Sequence, residues 1–213
     1  MESIRLEQLP ELFASVADIM AEKADELCEM DARMGDGDLG LTMKKGFGAL
    51  PEILTAIEEA DMGKKLAKAG MKMSSVVPST MGTLMSSGIM SGGKALTGAE
   101  AIDAAGYLSF LDGFCAGLEK RGKCQRGDRT VLDAVGAAAD AVRAALQADS
   151  GLTLAAAAEC ALEGAKAGVE STRTMEPKFG KAAVHKAAAQ GERDQGACAG
   201  MYMIEGYRNY MVR

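Results

Sequence analysis

The chain has no tryptophan, and aromatic residues make up only 4% of it. Platforms for stacking bases are therefore scarce, which argues against a nucleic-acid binder. Histidine occurs once, as His185, and is read as a surface loop residue. The five cysteines (Cys28, Cys115, Cys124, Cys160 and Cys198) are odd in number, far apart, and form no CxxC pair. That pattern fits buried thiols in a reducing compartment better than a disulfide framework or a zinc site. No apolar run reaches the roughly 18 residues of a membrane span, and no basic segment precedes an apolar one near the N-terminus. The expectation is a cytoplasmic protein without membrane association. A formal net charge of −6 argues against unspecific binding to nucleic acid or anionic lipid, while leaving room for a local basic pocket.

What is present describes an ordinary globular chain. The 213 residues are 48% hydrophobic and 25% charged, enough for one sizeable core, and are read as a single domain. Ala, Leu, Met, Glu and Lys abound, and runs of β-branched residues are rare. Apolar spacing predicts helices over 8–30, 41–60 (with a bend near Pro51), 62–75, 81–95, 99–121, 130–148, 153–174 and 194–210. "TGAE", Thr97 to Glu100, reads as the capping box of the fifth. Eight helices with mostly short connections imply antiparallel neighbours in an all-α bundle or barrel without β-sheet. The polar loop at 176–193 is the exception, and loops of that length are commonly functional.

"DARMGDGDLG", residues 31 to 40, crowds Asp31, Asp36 and Asp38 together although like charges repel. It is not an EF-hand loop, because counting from Asp36 puts Phe47 where the twelfth-position Glu is needed. "GIMSGGKA", Gly88 to Ala95, mimics a phosphate-binding loop, but Ala95 replaces the metal-binding Ser/Thr and no strand precedes it. Close helix packing through small residues explains that stretch. For the aspartates two readings stay open: a solvated turn, or carboxylates neutralised by cations. Asp31 ends a helix, where the macrodipole favours a cation. Two Mg²⁺ ions would exceed the charge of three carboxylates, and the surplus suits bridging phosphate oxygens. "SSVVPSTMGT" (74–83), "RGDRT" (126–130) and "DQGA" (194–197) each precede a helix, as N-caps or as anion sites.

Taken together, GDGD-x-G-x-x-M at 35–43, GDRT-x-x-D at 127–133, GAKAGVEST at 164–172 and GKA…DQGA at 180–197 resemble the L subunit of dihydroxyacetone kinases. The equivalent region of single-chain relatives is their nucleotide-binding domain, and the similarity runs over nearly the whole chain. The resemblance implies a barrel of eight antiparallel helices that binds ADP or ATP at one end through two Mg²⁺. It makes Asp31, Asp36 and Asp38 the metal-ligating aspartates. Phosphates would meet the turn Leu39–Gly40 to Thr42 and the Ser79–Thr80 region. Gly122 and Val131 would wall the adenine, with Lys181 and the Asp194–Gln195–Gly196 loop as further nucleotide contacts.

Four positions depart from the family pattern. Leu39 stands where family members carry His, "VVPSTM" replaces a longer glycine-rich stretch, Lys181 replaces Arg, and Gln195 replaces Pro. Lysine keeps the charge but loses the bidentate fork. The resemblance therefore carries over the metal triad more fully than the nucleotide contacts. It also implies half an enzyme: the L subunit donates the phosphoryl group, and a separate K subunit holds the sugar. In family systems drawing on phosphoenolpyruvate, ADP stays bound and a phosphocarrier protein rephosphorylates it, whereas in ATP-dependent ones ATP exchanges. The alternative roles are a nucleotide-sensing regulator docking on a transcription factor, and a kinase subunit for another small ketose or polyol. Retention of all three aspartates favours catalysis over sensing.

Overall fold

The computed structural model describes residues 1–184 and 189–213. His185 falls outside the described residues, and so does the side chain of Lys181. Nine α-helices are present among the described residues: α1 (Leu9–Glu22), α2 (Ala24–Ala32), α3 (Leu39–Ala56), α4 (Met62–Val76), α5 (Thr80–Ala95), α6 (Ala104–Gly122), α7 (Val131–Ala148), α8 (Leu154–Ser171) and α9 (Gln195–Met211). Six of these starts follow from short polar side chains that accept the first free N–H groups, whereas α1, α2 and α3 begin without such a cap. Asp61, Ser79, Asp103, Thr130, Thr153 and Asp194 all cap in this way.

Three local expectations need correction. The span 8–30 is two helices, broken at Lys23, whose N–H still bonds to Ile19. The break accompanies a close approach in which the backbone of Ala24 lies where a side chain on Gly40 would be. The fifth helix begins at Ala104, not 99, because Asp103 is its cap and accepts from Gly106 N at 2.7 Å. Thr97 instead bonds back to the Lys94 carbonyl, and Gly98 turns the chain at φ +84°. Residues Ala101–Ile102 then pair antiparallel with Ile4–Arg5, so the expected absence of β-sheet is also corrected, by a two-residue ladder. Pro51 sits inside α3 without ending it; the helix stops at Ala56, where Ile57 turns extended.

With α1 and α2 acting as one arm, the elements pack in a closed ring: α1/α2, α3, α4, α5, α6, α7, α8, α9 and back to α1. One continuous apolar core fills the ring. Tyr207 sits in an aromatic cluster there, edge-on to Phe13 at 5.6 Å and to Phe110 at 5.9 Å. The small residues of "GIMSGGKA" lie within α5 and admit neighbours closely, since a Cβ on Gly88 would strike the Phe114 ring. Among the described residues, no helix is long and apolar enough to cross a membrane.

Alternation of direction around the ring decides where chemistry can sit. The starts of α3, α5, α7 and α9 share one end with the finishes of α2, α4, α6 and α8. The loops 33–38, 77–79, 123–130 and 172–194 therefore gather at that end, and Gly40 sets one of its edges. Gly40→Ala should force α3 away from Ala24 and destabilise the fold by about 1–3 kcal/mol, the usual range for overpacking. A urea midpoint lowered at unchanged m value would show this.

Candidate functional site

Asp31 ends α2 with only 9% of its surface exposed, while Asp36 and Asp38 are exposed on the following turn. One oxygen of Asp31 accepts from Gly37 N at 2.9 Å and Asp38 N at 3.2 Å. Gly37 makes the turn possible with φ +73°. Folded back in this way, the three carboxylates each place an oxygen within 4.8 Å of the others. Such crowding of like charge is unfavourable by itself and favours a cation among them. Oxygen donors without nitrogen or sulfur suit hard divalent cations, Mg²⁺, Ca²⁺ and Mn²⁺ alike.

The last helix joins this cluster. Gln195, at the first position of α9, directs its amide nitrogen to the other oxygen of Asp31 at 3.4 Å. The Gln195 Oε1 is buried without a hydrogen-bond partner among the described residues. Beside it, Gly196 approaches Val131 N and Met81: a Cβ there would lie 3.4 Å and 3.7 Å from them. Gly122 is similarly close to Leu84 and Cys124. Met81, Leu84, Cys124 and Val131 thus supply the apolar wall of this end, of which the sequence reading named only Val131.

The helix starts carry the remaining expected positions. Ser79 caps α5 through Gly82 N at 3.0 Å, and Thr80 is exposed at its first position. Leu39 and Gly40 open α3, but the Leu39 side chain belongs to the core, leaving its backbone to face the loops. Thr42 is half-buried one turn's length on. The backbone of Lys181 lies in a short 3₁₀ turn.

Three groups in this region carried no assignment from sequence. Asp133 closes the loop before α7 by accepting from Gly127 N at 2.6 Å and Thr130 N at 2.7 Å. Thr172 receives the N–H of Asp194 at 2.9 Å, tying the end of α8 to the start of α9. Arg129 is 3% exposed at φ +62°, and donates from Nη2 to the Glu192 carbonyl at 2.9 Å. Its Nε and Nη1 have no partner among the described residues. It lines a cavity of about 580 Å³ with Arg173 and Gly191. The Arg of "RGDRT" was visible in the sequence, but its burial depends on a left-handed backbone that non-glycine residues rarely adopt.

With this geometry in view, the comparisons with known proteins converge. A profile of the DAK2 domain matches residues 33–209. The chain belongs to the DAK2 domain family. This DAK2 domain is 28% identical over 204 residues to the ADP-binding subunit DhaL of the PEP-dependent dihydroxyacetone kinase of Escherichia coli K12, covering 95% of this chain and 96% of that one. It is also 28% identical over 200 residues to an L-erythrulose 1-kinase of Mycolicibacterium smegmatis, spanning 92% of this chain but 34% of that longer protein. Its fold matches the crystal structure of the dihydroxyacetone kinase from C. freundii in complex with AMP-PNP and Mg²⁺. The TM-score is 0.71 at 22% identity, covering 99% of this chain and 35% of that one. The relatives are kinases and kinase subunits, and the DAK2 domain is all-α as the helical spacing implied.

Asp194 gives the site a measurable pH signature. Burial is the main cause that pushes its carboxyl up to about 6, only partly opposed by the Ala197 N–H. The folded state then holds a proton that the unfolded chain releases, so this group's contribution to stability is complete below the ordinary carboxylate pKa. It is lost as pH rises through about 4 to 6. Asp194→Asn keeps an acceptor for the helix cap without the charge. The stability of wild type relative to this variant should therefore fall across that window, and chemical denaturation at several pH values checks it.

Proposed function

We propose that this DAK2 domain is the nucleotide-binding, phosphoryl-donating subunit of a dihydroxyacetone-type kinase. The observation that carries the reading is the convergence of Asp31, Asp36 and Asp38 within 4.8 Å, at the end of the ring where four helices begin. Helix starts present N–H groups and positive dipole ends to phosphate. The three aspartates would hold two Mg²⁺, which when bound neutralise charge on the phosphate oxygens.

The protein's own groups then do the positioning. Backbone N–H groups at the starts of α3 and α5 meet the phosphates, and Ser79 and Thr80 add hydroxyls. Gly122, Val131, Met81 and Leu84 cover the adenine, and Gln195 holds Asp31 while offering its free oxygen to the bound nucleotide. Lys181 and the Asp194–Gly196 start of α9 complete the nucleotide's surroundings. Leu39 in place of histidine removes a polar side chain from this set, so nucleotide is retained less tightly than in a chain carrying His and Arg at 39 and 181.

Phosphoryl transfer also needs an acceptor held in line and shielded from water. The carboxylates and helix starts of this end serve the phosphate donor. The acceptor comes on a separate K-type subunit docked over the loops, a reading supported by the relative named as an ADP-binding subunit. The E. coli relative, named as PEP-dependent and ADP-binding, supports ADP as the resident nucleotide, recharged by a phosphocarrier protein. The erythrulose kinase among the relatives supports a second reading of acceptor only, a four-carbon ketose chosen by the partner subunit.

Asp36→Asn should abolish Mg²⁺-dependent nucleotide binding in calorimetry without unfolding the protein, because removing repulsion among carboxylates is not itself destabilising. Unchanged nucleotide affinity would refute the metal assignment. In a coupled assay with dihydroxyacetone and ATP, the isolated chain should show no turnover and gain it when a cognate K-type subunit is added. Robust turnover by the chain alone would overturn the half-enzyme reading.

A further inference from the structure

Helix α5 is recessed between α4 and α6. Gly70 on α4 and Gly117 on α6 allow it: a Cβ on Gly70 would meet the Ser86 carbonyl at 2.8 Å, and one on Gly117 would meet Ser91 Oγ at 2.8 Å. The flanking helices stand above this floor and leave an open groove of about 570 Å³ on the outside of the ring. Small-molecule sites occupy roughly 300–1,000 Å³.

The floor is a ladder of hydroxyls. Thr83, Ser87 and Ser91 line it at four-residue spacing, on one face of the helix. Ser86 lies beside them, 3% exposed, and its Oγ has no hydrogen-bond partner among the described residues. A buried hydroxyl left unpaired is costly, which favours a ligand whose entry shifts the floor enough to reach it.

The ends of the groove are positive. Because α6 runs antiparallel to α5 and sets Gly117 against Ser87 and Ser91, Lys120 and Arg121 stand near Thr83. Lys94 marks the other end, eleven residues from Thr83, or about 16 Å at the helical rise. Its side chain and those of Lys120 and Arg121 are exposed and make no ion pair among the described residues. Arg126, Arg143, Arg173 and Arg208, by contrast, are all paired. No Asp or Glu lines the groove, a local reversal of sign in a chain of net charge −6.

We propose that this groove is a second ligand site, taking a small polyol with a phosphate at each end: a sugar bisphosphate in chemical class. Arg121 and Lys120 hold one phosphate, and Lys94 folds inward to hold the other. Between them Ser87 and Ser91 exchange hydrogen bonds with the sugar hydroxyls, and Thr83, whose own O–H donates to the Thr80 carbonyl, accepts one; a small shift of the floor lets Ser86 Oγ join them. Met71 and Met90 cover the carbon skeleton. The site shares no residue with the aspartate cluster and does not depend on it.

The test is a titration of the metal-free, nucleotide-free protein with fructose 1,6-bisphosphate, followed by amide chemical shifts. Saturable shifts should centre on Thr83, Ser87 and Ser91, with affinity at least tenfold above fructose 6-phosphate and inorganic phosphate. Lys94→Gln and Arg121→Gln, both on exposed positions, should each weaken binding at least fivefold at an unchanged unfolding midpoint. Asp36→Asn should leave it untouched, which separates this site from the nucleotide reading. Absence of saturation on α5, equal affinity for inorganic phosphate, or loss in Asp36→Asn overturns the proposal. So does binding to phosphatidylglycerol vesicles with no response to the free bisphosphate, which would assign the groove to lipid headgroups instead.

Discussion

The half-buried geometry of the site depends on one carboxylate. Asp31 stands at the finish of α2, where the helix dipole disfavours a negative charge, and is largely withdrawn from water. It is held there by two N–H groups of the turn that follows, Gly37 and Asp38, and by the amide of Gln195 from the far end of the chain. The same bonds that satisfy Asp31 fold the turn, and the folded turn brings Asp36 and Asp38 beside it. Structure and charge are therefore opposed at this point: closing the turn creates the repulsion. A cation among the three carboxylates would relieve that opposition, and this is the physical basis of the metal reading we propose.

Much of this was legible in the sequence. The caps Ser79, Thr130, Thr153 and Asp194 precede apolar periodicities, and short polar residues at such places have few other uses. The aspartate triad was visible from spacing alone, although spacing did not choose between a turn and a metal site. The missed features are long-range. The break at Lys23 goes with contact between Ala24 and Gly40, and the late start of α6 reflects pairing of residues 101–102 with 4–5. Neither partner is near in sequence, so the local capping signal at Thr97 lost to a tertiary contact. The same holds for Arg129, whose position in a motif was plain and whose burial was not.

The two ends of the ring have opposite character. At the far end, apolar side chains and the aromatic cluster around Tyr207 close the core. At the near end, glycine turns and helix starts keep the backbone polar groups accessible. Antiparallel connectivity puts the capped starts of α4, α6 and α8 at the far end and places every second junction at the near end. The shorter junctions there can be tight because each joins neighbours in the ring; the longest, 172–194, links α8 to α9 and has chain to spare.

That longest junction is held differently from the helices. Arg33 pairs with Glu192 at 3.0 Å, Arg193 with Glu26 at 3.3 Å, and Lys178 with Asp128 at 2.6 Å. The first two are solvent-exposed pairs, of a kind each worth about 0–1 kcal/mol and weakened by salt. Lys178 is stronger placed, since the Asp128 carboxylate is buried and held below the usual carboxylate range chiefly by that bond. Buried fixings sit at the ends of the segment, where Thr172 meets Asp194 and Arg129 meets the Glu192 carbonyl. Among the described residues the junction is thus anchored at its base by desolvated hydrogen bonds, with the exposed pairs of Glu192 and Arg193 beside them and Lys178 further out. The buried bonds are therefore the ones that fix the start of α9, where Gln195 keeps its hold on Asp31.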